Sequence, residues 1–192
     1  MSKTAFDLFE SWFEEAKRTE PSDPNAMTLA TSGPAGRPSA RTVLLKAWDE
    51  RGFVFYGNLG SRKAREMQAT PYAALLFHWK SLQRQIRIEG SLSAVSDVQA
   101  DAYFASRPRP SQLGAWASMQ SQPLDSRDEF LTRLREVEAR FEDQPVPRPP
   151  FWSGWRLTPD YFEFWQGVDF RLHDRQIFKL TPQGWESGRL YP

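Results

Sequence analysis

From Met27 onward the apolar residues recur at every second position, in short runs punctuated by glycine, proline and aspartate. A period of two sends alternate side chains to opposite faces of an extended chain, so the pattern demands strands with a buried face. Met27–Thr31 and Ser39–Trp48 flank Gly33-Pro34-Ala35-Gly36 and read as a hairpin; Asp49–Gly52 then turns the chain into a third strand, Phe53–Tyr56. Tyr72–Trp79 and Gln83–Ser93 follow, and Trp152–Leu157, Tyr161–Gln166, Phe170–Lys179 and Trp185–Leu190 close the chain. So many short strands joined by turns predict an antiparallel barrel.

Helical spacing is confined to a few segments. Within an N-terminal piece spanning 1–20, residues 4–18 carry Phe6, Phe9, Trp12, Phe13 and Ala16 three and four apart, an amphipathic helix suited to packing on a sheet. Ser61, Ser96 and Ser126 are N-caps for helices over 62–69, to about Ser106 and to Glu142, and Ser111 could cap Gln112–Ala117. Residues 144–150 are a proline-rich connector rather than a boundary. The expected architecture is one domain, 1–192, mainly β with peripheral helices.

Net charge is +1, so no overall field recruits nucleic acid or an anionic membrane. There is no cysteine, which removes disulfides and thiolate metal sites, and two histidines make a histidine-rich metal centre unattractive. No apolar run reaches the ~20 residues of a membrane span, and the N-terminus lacks a signal-peptide pattern, so a cytoplasmic protein is expected. The cations are 19 Arg and 6 Lys, a bias toward bidentate recognition of phosphate or carboxylate.

Three stretches concentrate that chemistry. Arg62 and Lys63 fall in the first turn of a helix, where the dipole disfavours cations unless an anion sits between them and the free N–H groups; the alternative is an exposed basic turn. In Arg41–Lys46 a regular strand would send the two cations to opposite faces, as an anion site or as edge protection. In Trp165–Arg175, a strand would place Arg171, His173 and Arg175 on one face, with the arginines roughly 13 Å apart. That spacing suits two ligands side by side, or a solvated hairpin face. Tyr103, Arg107 and Ser111 form a weaker cluster in which R-P-R-P is also ordinary loop chemistry.

These segments, written R-T-V-L-L-K, F-Y-G-N-L-G-S-R-K, F-H-W-K-S-L-Q-R-Q, Y-F-A-S-R-P-R, F-W-S-G and W-Q-G-V-D-F-R-L-H-D-R, resemble in combination the pyridoxamine 5'-phosphate oxidase family. The resemblance runs from about Asp23 to Pro192. It implies an FMN-binding split β-barrel of antiparallel Greek-key type, forming a homodimer with FMN at the subunit interface. The implied reaction is oxidation of pyridoxamine or pyridoxine 5'-phosphate by dioxygen, releasing hydrogen peroxide. By motif, Arg41, Thr42, Val43, Leu44, Tyr56, Gly57, Arg62, Lys63, Gln85, Gln120, Ser121, Trp165 and Arg175 would hold FMN. Lys46, Tyr103, Arg107 and Ser111 would bind the substrate phosphate, and Arg171 and His173 the reacting end; no metal is implied. Phe170 departs from the family, which usually has a small or polar residue there, and the chain opens close to its first helix. The competing readings are an FMN oxidase of another small aromatic, as in phenazine-forming relatives, a non-catalytic flavin or pyridoxal-phosphate module, and a nucleic-acid-binding barrel.

Overall fold

A computed structural model describes residues 4–192; the first three residues of the expected N-terminal segment lie outside it. Helix α1 (Ala5–Thr19) opens with a capping box in which the Thr4 side chain accepts from the Asp7 amide and Asp7 reaches back to the Thr4 amide. Its apolar stripe, Ala5, Phe9, Phe13 and Ala16, is buried. Strands β1 (Ala26–Ser32), β2 (Pro38–Leu44), β3 (Ala47–Asp49) and β4 (Gly52–Asn58) precede helix α2 (Arg62–Ala69) and strands β5 (Tyr72–Trp79) and β6 (Arg84–Ala94). Helices α3 (Asp97–Ala105), α4 (Arg109–Ala117) and α5 (Arg127–Arg140) come next, before β7 (Trp152–Gln166), β8 (Asp174–Thr181) and β9 (Gly184–Arg189).

The nine strands form one antiparallel sheet in the order β2-β1-β5-β6-β7-β4-β3, with β8 and β9 continuing from β7. The sheet curls into a half-barrel around α1. Phe9 sits at the centre, its ring within 4.8–5.6 Å of Phe13, Trp48, Phe53 and Phe77. Leu29, Leu75, Ile86, Ile88, Leu157 and Phe162 complete this core. A second apolar cluster, Phe104, Leu113, Phe141, Val146 and Trp152, ties α3–α5 to the start of β7. No helix among the described residues is long and apolar enough to cross a membrane.

Four expectations are corrected. Trp152–Leu157 and Tyr161–Gln166 are one strand, not two. The Thr158-Pro159-Asp160 turn signal is absorbed by a register shift at Glu89/Gly90, where a proline's missing N–H is tolerated. Gly90 is required there, because a Cβ would lie 2.0 Å from the Thr158 carbonyl oxygen. Ser39–Trp48 is instead interrupted: Leu45 N–H donates to Asn25 O and Lys46 N–H to Val54 O, so the chain leaves β1 and joins β4. Helix α4 starts at Arg109 behind Pro108, with Ser111 inside its first turn rather than at its cap. The prolines read as stops are compatible with a helical first turn, whose N–H groups have no intrahelical acceptor.

The fourth correction concerns Phe170–Lys179. Asp169–Arg171 is a 3-10 turn in which Phe170 (φ 58°) and Arg171 (φ 64°) are both left-handed, and extended chain resumes only at Asp174. Two consecutive left-handed residues cannot continue a pleat, so Arg171, His173 and Arg175 do not share a regular strand face. The 13 Å spacing expected from strand geometry does not apply.

Candidate functional site

The break after Leu44 shapes the site. Arg41 and Lys46, expected on opposite faces, stand on either side of it in sequence and line one cavity of about 850 Å³. That cavity is walled by Ser39–Leu44 of β2, the end of β4, the first turn of α2, α3, α4 and the 118–121 loop. Of the residues assigned by sequence, Arg41, Thr42, Val43, Leu44, Lys46, Tyr56, Gly57, Arg62, Lys63, Tyr103, Arg107, Ser111, Gln120 and Ser121 all line it. Five cations are among them, and no carboxylate is among the described lining residues. An enclosure of that composition attracts anions.

One group of cations is built on β2 and α2. Ser61 caps α2, its hydroxyl accepting from the Ala64 amide, and the first turn holds no acidic residue. Lys63 is buried beside that cap, donating to Gln120 Oε1 (2.6 Å) and Ser61 Oγ (3.1 Å). Gly57 makes room for it, since a Cβ would meet Lys63 Cε at 3.0 Å. Burial, reinforced by the Arg41 charge, pushes the Lys63 amine down to about 8. Behind the wall, Glu66 accepts from Thr31 Oγ1 (2.6 Å), Ser39 Oγ (2.5 Å), Arg62 Nε (2.8 Å) and Arg41 Nη2 (3.2 Å). Although burial alone would raise it, these donors hold the Glu66 carboxyl at about 2, and the carboxylate aligns both arginines.

The other group is built on α3 and α4. Tyr103 stacks on Tyr56 (4.1 Å between centroids), and Tyr56 stacks on Trp152 (5.3 Å). Arg107 lies over the Trp152 ring at 5.0 Å, and its buried Nη1 has no hydrogen-bond partner. Trp152 was missed by sequence reasoning, although F-W-S-G had been noted as a motif; Asn58, Gly114, Ala115 and Ser118 also line the wall unannounced. Gly114 leaves open space where a side chain would stand.

Gln85, Trp165, Arg171, His173 and Arg175 do not line this cavity. Cross-strand register places Gln85 opposite Trp165 and Trp165 opposite Arg175. His173 packs on Trp165 with ring centroids 4.5 Å apart, and its Nδ1 accepts from the Val168 amide (3.2 Å). Arg175 donates to Glu163 Oε1 (2.7 Å), which also faces Arg87, and to Tyr191 O (3.0 Å). Arg171 and Phe170 are exposed on the turn, Phe170 at 92%. The site residues thus form two constellations within one chain.

Residues 13–141 match the pyridoxamine 5'-phosphate oxidase family, and residues 152–192 match the pyridoxine 5'-phosphate oxidase C-terminal dimerisation region. The pyridoxine/pyridoxamine 5'-phosphate oxidase of Sphingopyxis alaskensis is 60% identical over 192 residues, covering 100% of this chain and 89% of the relative. That of Gluconobacter oxydans is 58% identical over 187 residues, covering 97% and 94%. Among solved structures, PhzG from Burkholderia lata, in complex with tetrahydrophenazine-1-carboxylic acid, superposes with a TM-score of 0.92 at 30% identity, covering 100% of this chain and 94% of that one. A pyridoxamine 5'-phosphate oxidase-related, FMN binding protein from Nostoc punctiforme shares the fold, with a TM-score of 0.79 at 19% identity and coverage of 100% and 99%. With both family regions matched in order and relatives near 60% identity along its length, the chain belongs to the pyridoxamine 5'-phosphate oxidase family and is an FMN-dependent oxidoreductase.

Proposed function

We propose that this protein oxidises pyridoxamine 5'-phosphate or pyridoxine 5'-phosphate to pyridoxal 5'-phosphate, passing the electrons through FMN to dioxygen. One observation carries the reading: a single cavity is lined by five cations, Arg41, Lys46, Arg62, Lys63 and Arg107, with no carboxylate among its described lining residues. Two phosphate-bearing ligands call for that arrangement. With Glu66 set against the five cations, four positive charges remain, which balances two phosphate dianions.

The chemistry of the donors fits FMN. Arg62 and Lys63 at the N-terminus of α2 would hold its phosphate, and Arg41–Leu44, Tyr56, Gly57, Gln120 and Ser121 would hold the rest from this chain. When bound, FMN accepts a hydride equivalent from the substrate and returns two electrons to dioxygen as hydrogen peroxide. Lys46, Tyr103, Arg107 and Ser111 would grip the substrate phosphate and so orient its pyridine ring. Gln85, Trp165, Arg171, His173 and Arg175 of one protomer would complete the cavity of its partner, which explains why they stand apart from it within one chain. While neutral, His173 accepts at Nδ1 and therefore carries its proton on Nε2, so toward substrate it is a donor rather than a base.

The test is direct. Purified protein should show a flavin spectrum released as FMN on denaturation, and should form pyridoxal 5'-phosphate and hydrogen peroxide in equal amounts when pyridoxine 5'-phosphate is supplied with oxygen. A flavin-loaded protein without this turnover refutes the reading. The likeness to PhzG supports a second one, oxidation of a phosphate-free polycyclic aromatic acid. It leaves Lys46 and Arg107 without an anionic partner of matching charge, and turnover of tetrahydrophenazine-1-carboxylic acid in preference to the phosphates would favour it.

A further inference from the structure

Arg107 is held differently from the other partly buried arginines. Arg41, Arg84, Arg87, Arg148, Arg156 and Arg175 each meet a carboxylate, and Arg133 donates to the Ala117 carbonyl oxygen. Among the described residues Arg107 meets no carboxylate, and its Nη1 is buried without a hydrogen-bond partner. Its neighbours are ring faces: Cζ lies 5.0 Å from the Trp152 centroid and 5.4 Å from that of Phe104. Trp152 is only 6% exposed. Phe104 meets it edge-on at 5.1 Å, Tyr56 lies nearly parallel to it (6°), and β-pairing places it opposite Asn58.

A carboxylate partner would fix a guanidinium but cancel its charge. An aromatic face fixes it through the ring quadrupole and the planar stack, and leaves the charge available. A buried guanidinium nitrogen without an acceptor is costly, which argues that an acceptor arrives with a ligand. We propose that Trp152 is a positioning residue that clamps Arg107 against its indole face, so that the guanidinium meets the substrate's 5'-phosphate pre-oriented and uncompensated. The inference rests on the proposed reading of the site and adds to it the element that sets selectivity for phosphorylated over unphosphorylated substrate. Burial pulls the Arg107 guanidinium below the usual arginine range, as expected of a cation awaiting its counter-ion.

The experiment compares the holoenzyme with Trp152→Phe and Trp152→Leu variants. Binding of pyridoxal 5'-phosphate and of unphosphorylated pyridoxal is titrated, alongside kcat and KM for pyridoxine 5'-phosphate and flavin stoichiometry. Trp152→Leu should weaken the phosphorylated ligand about tenfold, which is about 1.4 kcal/mol, and raise KM to match. The unphosphorylated ligand, kcat and flavin content should stay near wild type. Trp152→Phe, which retains a smaller ring face, should lose about threefold in the same ratio. Equal weakening of both ligands would make Trp152 a packing residue only and overturn the clamp, while wild-type selectivity, and with it the reading of the site, would stand. Should Trp152→Leu fail to fold, the Trp152→Phe ratio decides alone, and no change in it overturns the proposal. A wild-type holoenzyme that does not distinguish the two ligands overturns both the clamp and the phosphate reading beneath it.

Discussion

Replacing Lys63 by methionine should abolish a pH dependence that its buried amine imposes on FMN binding. In the free protein burial holds this amine at about 8 against an ordinary 10.5, and its hydrogen-bond acceptors are neutral, Gln120 Oε1 and Ser61 Oγ. A phosphate dianion at the α2 N-terminus favours the ammonium and would return the amine toward its ordinary value. The bound value then exceeds the free one, so the contribution is complete below about pH 8 and disappears as pH rises through the bound value. If the full 10.5 is restored, FMN should bind about tenfold more weakly at pH 9 than at pH 7, about 1.4 kcal/mol, with roughly half a proton taken up per FMN at pH 8. Titrating flavin-free protein with FMN by fluorescence quenching gives the dissociation constants. Calorimetry in two buffers of different ionisation heat gives the protons. Lys63→Met should bind FMN about 1.5–3 kcal/mol less tightly at pH 7, as for a lost charge-assisted bond, and show no such slope. A wild-type dissociation constant that is level from pH 7 to 9 would refute the reasoning.

Other parts of the structure give further tests. Phe9→Ala empties the centre of the aromatic core and should cost about 3–5 kcal/mol in denaturant unfolding without altering FMN stoichiometry in the folded fraction. Glu66, held at about 2 against an ordinary 4.5, contributes about 3 kcal/mol of stability that is full above pH 4.5 and lost as pH falls through 2; Glu66→Gln should flatten the acid limb of the stability profile. Arg175→Ala should lower flavin occupancy and break the tie to Glu163, whereas Arg171→Ala should keep flavin and depress kcat/KM at least tenfold, about 1.4 kcal/mol. With only two histidines in the chain, long-range nitrogen NMR can assign the His173 tautomer, expected on Nε2; a proton on Nδ1 would contradict the Val168 contact.

The strands and helix caps were legible because each rests on local rules. Ser61, Ser96 and Ser126 cap their helices, and Tyr72–Trp79 carries its alternation from end to end. Where the reading failed, a long-range partner decided. Pro159 continues a strand because β6 bulges opposite it, and Leu45-Lys46 breaks one because Asn25 and Val54 take its amides. Neither partner can be inferred from the residues at the break. Arg41 and Lys46 share a cavity although period two places them on opposite faces, because residues from both faces of β2, Ser39 to Leu44, line it. Trp152 escaped notice for a different reason: a tryptophan opening a strand reads as core, and only the position of Arg107 over its face gives it another role.

The turn at Asp169–Arg171 shows what alternation alone misses. Arg171, His173 and Arg175 look like one face of a strand, yet Phe170 and Arg171 both take left-handed backbone, costing of order 1–3 kcal/mol each for residues with side chains. Besides the packing of His173 on Trp165, the hydrogen bonds among the described residues that hold this conformation run from the Leu172 amide to Asp169 O and from the Val168 amide to His173 Nδ1. Together they offer about 1–3 kcal/mol net, against roughly 2–6 kcal/mol of strain for the two residues. The exposed Phe170 ring and the Arg171 side chain contribute little further in a single protomer. Contacts that offset the remainder would come from a surface docked against the turn, which lies within the segment matching the family's dimerisation region. Phe170→Gly should therefore ease the turn in an isolated protomer, while weakening the dimer if the ring packs across the interface. Sedimentation of the variant at nanomolar concentration measures that balance. A dimer as tight as wild type would show that the ring is not what the partner grips.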